Sequence, residues 1–240
     1  MYAGAFFGGL MTLLKRLFRY FSKGEIALWS ASMLLVLISF FLFDRENYLT
    51  LIASIIGVTS LIFCAKGNPF GEVLMVLFSV IYAIISYTFA YYGEMITYLG
   101  MTLPMSVFAL VTWLRNPYSE KTAEVKVNRL RSKEVVFMWG LTAVVTVTFY
   151  FILEYFGTAN LIPSTVSVTT SFVAAYLTFR RSPYFALAYA ANDLILIILW
   201  VLASISDIRY ISVTVCFIVF FANDLYGFVN WQRMKKRQGV

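Results

Sequence analysis

Long apolar runs alternate with short clusters of basic residues along the whole chain. That alternation constrains the fold more than any other feature of the sequence. About 20 apolar residues in a helix cross roughly 30 Å of hydrocarbon, so each run reads as a membrane span. A single threading then places seventeen of the nineteen Lys and Arg residues on one side. With the N-terminus in the cytoplasm, the inner face carries Lys15, Arg16, Arg19, Lys23, Lys66, Arg115, Lys121, Lys126, Arg129, Arg131, Lys133, Arg180, Arg181, Arg233, Lys235, Lys236 and Arg237. The outer face carries only Arg45 and Arg209. This positive-inside bias sets both the number of spans and their direction. It predicts an all-α polytopic membrane protein with eight transmembrane helices and both termini cytoplasmic. The spans fall at about 25–43, 48–65, 70–92, 98–114, 134–155, 160–179, 184–205 and 209–231.

The loops are too short to hold a soluble domain. A net charge of +7 fits an anionic cytoplasmic leaflet better than nucleic acid, because the charges follow the topology. Residues 1–23 carry their charges after the apolar stretch, unlike a secretory signal, and read as an amphipathic interfacial helix or a frayed lead-in to the first span. Cys64 and Cys216 both lie in apolar spans and imply no disulfide framework. The chain has no His and no carboxylate or cysteine cluster at ligand spacing. No metal site, cofactor or catalytic constellation is expected.

A weak internal repeat is present. Asn68-Pro69 recurs as Ser182-Pro183, 114 residues later, and Trp113-Leu-Arg recurs as Trp231-Gln-Arg, 118 residues later. The repeat divides the chain into an N-terminal segment with a first helix (1–47), a three-helix unit (48–115), a cytoplasmic connection with a linker helix (116–159), a second three-helix unit (160–233) and a basic tail (234–240). The linker helix turns the chain round, so the two bundles run parallel. The polar stretch 116–133 reads as a solvated connection. Pro104 and Pro163 are expected to kink their helices, and Gly227 to allow close helix contact.

Ionisable groups inside a span cost roughly 2.5–3.5 kcal/mol on insertion scales, so the two Asn-Asp pairs, Asn192-Asp193 and Asn223-Asp224, ask for a reason. At helical spacing Tyr189, Asp193, Leu196 and Trp200 form one stripe. Asn223, Tyr226 and Asn230 form another, with Asp224 beside it. Tyr82 and Tyr87 are mid-span candidates from the first unit. Together these residues predict a cavity for a flat, polar, cationic small molecule. Rings would supply stacking and cation–π contacts, amides hydrogen bonds, and a carboxylate the counter-charge. Interhelical hydrogen bonding is the structural alternative for the same Asn and Asp residues. A channel would want rings of charge or carbonyls along a continuous path. An intramembrane enzyme would want a nucleophile with its base. The sequence offers neither.

Trp113-Leu-Arg-Asn-Pro-Tyr118 with Glu124-Val-Lys-Val, Ala191-Asn-Asp193 and the ending Asn223-Asp-Leu-Tyr-Gly-Phe-Val-Asn-Trp231 resemble the PnuC family of bacterial vitamin-precursor transporters. The likeness runs from about the second helix to the end. It implies a nicotinamide riboside carrier of the inner membrane with a SWEET-like pair of bundles, assembled as a homotrimer. It also implies facilitated diffusion, with cytoplasmic phosphorylation trapping the substrate. The resemblance places the family site between the bundles, and Asn192 matches the position of an asparagine found in the corresponding helix of relatives. A Trp-x-x-Trp pattern that precedes it in some members is replaced here by Phe185 and Ala188, with Tyr184 and Tyr189 nearby. A carrier of thiamine or another nucleoside-like vitamin, or a proton-coupled carrier, stays open as an alternative.

Overall fold

The apolar runs form eight helices in a computed structural model, which describes residues 20–88, 92–119, 123–158 and 160–240. They are α1 Lys23–Phe43, α2 Tyr48–Ala65, α3 Phe70–Thr88, α4 Tyr92–Leu114, α5 Ser132–Tyr155, α6 Leu161–Phe179, α7 Phe185–Ser206 and α8 Ile211–Gln238, the last preceded by a 3₁₀ turn at Ile208–Tyr210. The shortest, α2, has 18 residues and so reaches about 27 Å, enough to cross hydrocarbon. All eight are long and apolar enough to span a membrane. The expected spans agree to within a few residues, except that α4 starts earlier and α8 runs on to Gln238. The expected N-terminal interfacial helix falls mainly on 1–19, outside the described residues.

Six helices pack in a closed cycle: α2 on α3, α3 on α4, α4 on α6, α6 on α7, α7 on α8, and α8 back on α2. Outside the cycle, α1 lies against α2 and α8, and α5 lies against α6 and the start of α4. Contacts therefore run without a break across the boundary between the two sequence units.

The repeat recurs in hydrogen bonding at the end of the bundle that carries Lys66 and Arg181, the basic end. Helix α2 closes with Asn68 N–H to Phe63 O and with Gly67 at φ +64°; α6 closes with Ser182 N–H to Leu177 O and with Arg181 at φ +56°. These are αL caps that satisfy the last carbonyls. The indoles then cross over. Trp113 of α4 donates to Thr178 O of α6 at 2.9 Å, and Trp231 of α8 donates to Cys64 O of α2 at 2.8 Å. Both rings are fully buried and lie 5.4 Å apart.

The connection from α4 to α5 is only partly solvated. Alternation in Glu124-Val-Lys-Val turns Val125 and Val127 inward against the tryptophan cluster and leaves Lys126 exposed. Pro117 and Val125 form an antiparallel bridge. Val125 N–H bonds Gly67 O, and Asn128 N–H bonds Arg181 O, so this strand-like stretch ties down both caps.

The two prolines behave differently. Next to Pro104, which has no N–H, α4 widens into a π turn over Tyr98–Thr102, with Leu103 N–H reaching back to Tyr98 O. Pro163 sits in the first turn of α6, where its N–H would have had no helical partner, and that helix continues regularly. Gly227 lets α8 approach Ala65 and Ala186; an added Cβ would stand 3.4 Å from the Ala186 methyl.

Candidate functional site

Three helices present polar stripes to one small interior cavity. Helix α6 is rich in Ser and Thr and contributes Ser164, Ser167 and Ser171, at i, i+3 and i+7. Helix α7 contributes Asn192, Leu196 and Leu199 at i, i+4 and i+7. Helix α4 contributes Glu94 and Thr97, then Tyr98 and Thr102 from the π turn. Tyr82 of α3 closes the ring, and the cavity measures about 50 Å³, room for a few water-sized groups.

Asn192 is buried and held at one end. Its Oδ1 accepts from Thr170 Oγ1 at 2.9 Å and from Ser167 Oγ at 3.3 Å. The other end of the amide makes no hydrogen bond among the described residues, so an oriented polar group faces the cavity. The Tyr82 and Tyr98 rings lie beside it, 4.4 Å apart between centroids.

Tyr82 and Glu94 also line a second cavity toward the opposite end of the bundle. This vestibule is bordered by Asp44, Asn47, Trp200, Asp207, Arg209 and Tyr210. Its charges are mostly paired. Arg209 binds the Asp207 carboxylate through Nη2 at 2.6 Å, and Asn47 donates to Asp44 at 2.7 Å. Hydrogen bonds from Arg209 hold the Asp207 carboxyl below the ordinary carboxylate range.

Of the ten residues picked from the sequence, the structure brings Asn192 and Tyr82 to the inner cavity and Trp200 to the vestibule. The rest lie elsewhere. One residue step is about 100° around a helix, so Asp193 points away from the Asn192 stripe and toward α8. There its carboxyl stands against that of Asp224, and both side chains are buried. Asn223 donates to Ser32 Oγ at 2.9 Å and to Val219 O at 2.8 Å, joining α8 to α1. Tyr226 donates to Glu25 at 2.7 Å, and Asn230 donates to Ala65 O at 2.7 Å. Tyr189 packs edge-on against Phe185. Tyr87 is largely exposed beside Tyr92.

Sequence reasoning missed Glu94, Tyr98 and the α6 hydroxyls. The serine stripe was readable as i, i+3, i+7 within an apolar span. Glu94 was hidden because α4 begins at Tyr92, earlier than its hydropathy suggests.

Eight spanning helices with a small cavity of amide, hydroxyl and tyrosine groups between them define a polytopic membrane protein with a polar interior site. The chain belongs to the family described as nicotinamide mononucleotide transporter, which matches residues 47–233, and so stands among transporters rather than enzymes. It is similar to the nicotinamide riboside transporter PnuC of Neisseria mucosa, with 26% identity over 215 residues, covering 88% of this chain and 82% of that one. It is also similar to the nicotinamide riboside transporter PnuC of Haemophilus influenzae, with 23% identity, covering 95% and 99%. The crystal structure of the vitamin B3 transporter PnuC has the same fold. Its TM-score is 0.77 at 22% identity, covering 91% of this chain and 94% of that one.

Proposed function

We propose that this protein carries nicotinamide riboside across the bacterial inner membrane by facilitated diffusion, with the basic end of the bundle in the cytoplasm. The observation that carries the reading is the lining of the inner cavity. An anchored amide, a row of hydroxyls and paired tyrosine rings suit a carboxamide, a ribose and an aromatic ring respectively. The family description speaks of the mononucleotide, whereas the named relatives carry the riboside. A phosphate needs basic side chains or a fan of N–H donors. Among the described residues no Lys or Arg lines this cavity, and Glu94 would repel an anion, which favours the riboside.

In this reading the two three-helix units, 48–115 and 160–233, rock about the cavity to open it alternately to each side. Phosphorylation in the cytoplasm then traps the product, and three protomers assemble with one path each. The test is calorimetric titration of the purified protein with nicotinamide riboside, its mononucleotide and thiamine, side by side. The riboside is expected to bind tightest, and Asn192→Ala to weaken it by about 1–3 kcal/mol, the cost of leaving a buried polar group unpaired. Tighter binding of the mononucleotide or of thiamine overturns the substrate assignment. Unchanged riboside affinity in a monodisperse Asn192→Ala protein makes that amide structural.

A further inference from the structure

The carboxylates along the passage are not equivalent. Asp207 is bonded by Arg209 and Asp44 by Asn47. Glu94 alone among the acidic residues lines both the vestibule and the inner cavity, and it makes no hydrogen bond or ion pair among the described residues. Its place is fixed by its neighbour. Gly93 lies so close to the end of α5 that an added Cβ would stand 2.6 Å from a Leu153 methyl. That close approach pins the first turn of α4 and sets Glu94 over the junction of the two cavities. The Tyr82 and Tyr98 rings lie at the same junction.

A lone carboxylate in a partly desolvated passage, flanked by π faces, is held ionised by a positive charge that is itself weakly hydrated, and so favours such a charge. An organic cation meets that description. A divalent metal would want several carboxylate, Cys or His ligands together, and no such group occurs among the described residues. The riboside substrate proposed above carries its positive charge on the pyridinium ring, delocalised and flat.

We infer that Glu94 is the charge-reading residue of the transport path: it selects cationic, pyridinium-bearing nucleosides over neutral ones of the same shape, and the role does not belong to the mid-span Asp193. The inference rests on the substrate reading and sharpens it.

The experiment compares nicotinamide riboside with its neutral 1,4-dihydro form, by competition binding on the purified full-length protein. Wild type is expected to favour the cation. Glu94→Gln keeps the shape and removes the charge. It is expected to lose about tenfold or more in affinity for the cation while binding the neutral form within about twofold of wild type. Glu94→Asp is expected to restore part of the preference, a rescue that a purely structural residue would not give, and it serves as the second variant should the Gln protein fail to fold. Equal loss for both forms in Glu94→Gln, an unchanged preference in that variant, or an abolished preference in Glu94→Asp overturns the assignment while the substrate reading stands. A wild type that binds neither form overturns the substrate reading and this assignment with it.

Discussion

Asp193 and Asp224 show how a buried carboxyl is tolerated in a membrane bundle. Each is nearly inaccessible, and the two carboxyls stand against each other across α7 and α8. Two adjacent negative charges in a low-dielectric interior repel strongly, so a pair of this kind is expected to hold a proton between them. The pair therefore acts as interhelical glue. Asp193→Asn is expected to keep the bond, since an amide donates to a carboxylate. Asp193→Ala leaves Asp224 buried without its partner and is expected to destabilise the protein by about 1–3 kcal/mol. Thermal unfolding in detergent reads the difference, and an alanine variant as stable as the asparagine variant would show that the pairing contributes nothing. The sequence announced that these acids needed a reason. It did not announce that the reason for Asp193 lies on α8 while its neighbour Asn192 faces the cavity. A pattern of i, i+4, i+7 defines stripes, but which stripe meets which helix is settled by packing.

At the scale of elements, the crossed tryptophans join the third helix of each sequence unit to the first helix of the other. Trp113 to Thr178 and Trp231 to Cys64 are repeat-related bonds, offset by the same 118 and 114 residues that mark the repeat in the sequence. Trp113→Phe and Trp231→Phe each remove one N–H and keep most of the ring. Each is expected to cost about 1–2 kcal/mol by leaving a buried carbonyl at a helix end short of its donor. The rings touch, so the double variant should depart from additivity. An additive double variant, or singles of clearly unequal cost, would argue against a matched pair of clasps. The helices themselves were legible, because run length and charge suffice for a span. The clasps were half legible: Trp-x-Arg showed a repeat, but a crossed partner cannot be read from a local pattern. The π turn at Tyr98–Thr102 was less legible still. Pro104 marks where a helical hydrogen bond is missing, yet the backbone has several ways to absorb that loss. The inward turn of Val125 and Val127 escaped notice because a charged stretch masks a short period-two alternation.

At the scale of the whole molecule, the question is whether the buried acids couple transport to an ion. Glu72, Asp193 and Asp224 are all buried, and such groups mark proton relays in many pumps. Their placement argues against it here. None of the three lines either cavity, Asp193 and Asp224 stand against each other, and Cys64 donates to Glu72 at 3.5 Å. Of the acids that line the path, Asp44 and Asp207 are held by Asn47 and Arg209, and Glu94 serves in our reading as the substrate's own counter-charge and so has no independent proton cycle to run. Among the described residues there is no cage of acids suited to a metal ion. On the proposed reading the carrier follows only the substrate gradient. In sealed vesicles without proton or sodium gradients, labelled nicotinamide riboside should equilibrate to the external concentration and no further. Unlabelled riboside loaded inside should drive transient counterflow of the label. Imposing an inward proton or sodium gradient should leave the final level unchanged if the substrate gradient alone drives the carrier. Accumulation above the external concentration under either gradient would show that the Asp193–Asp224 pair, or another buried acid, takes part in the transport cycle.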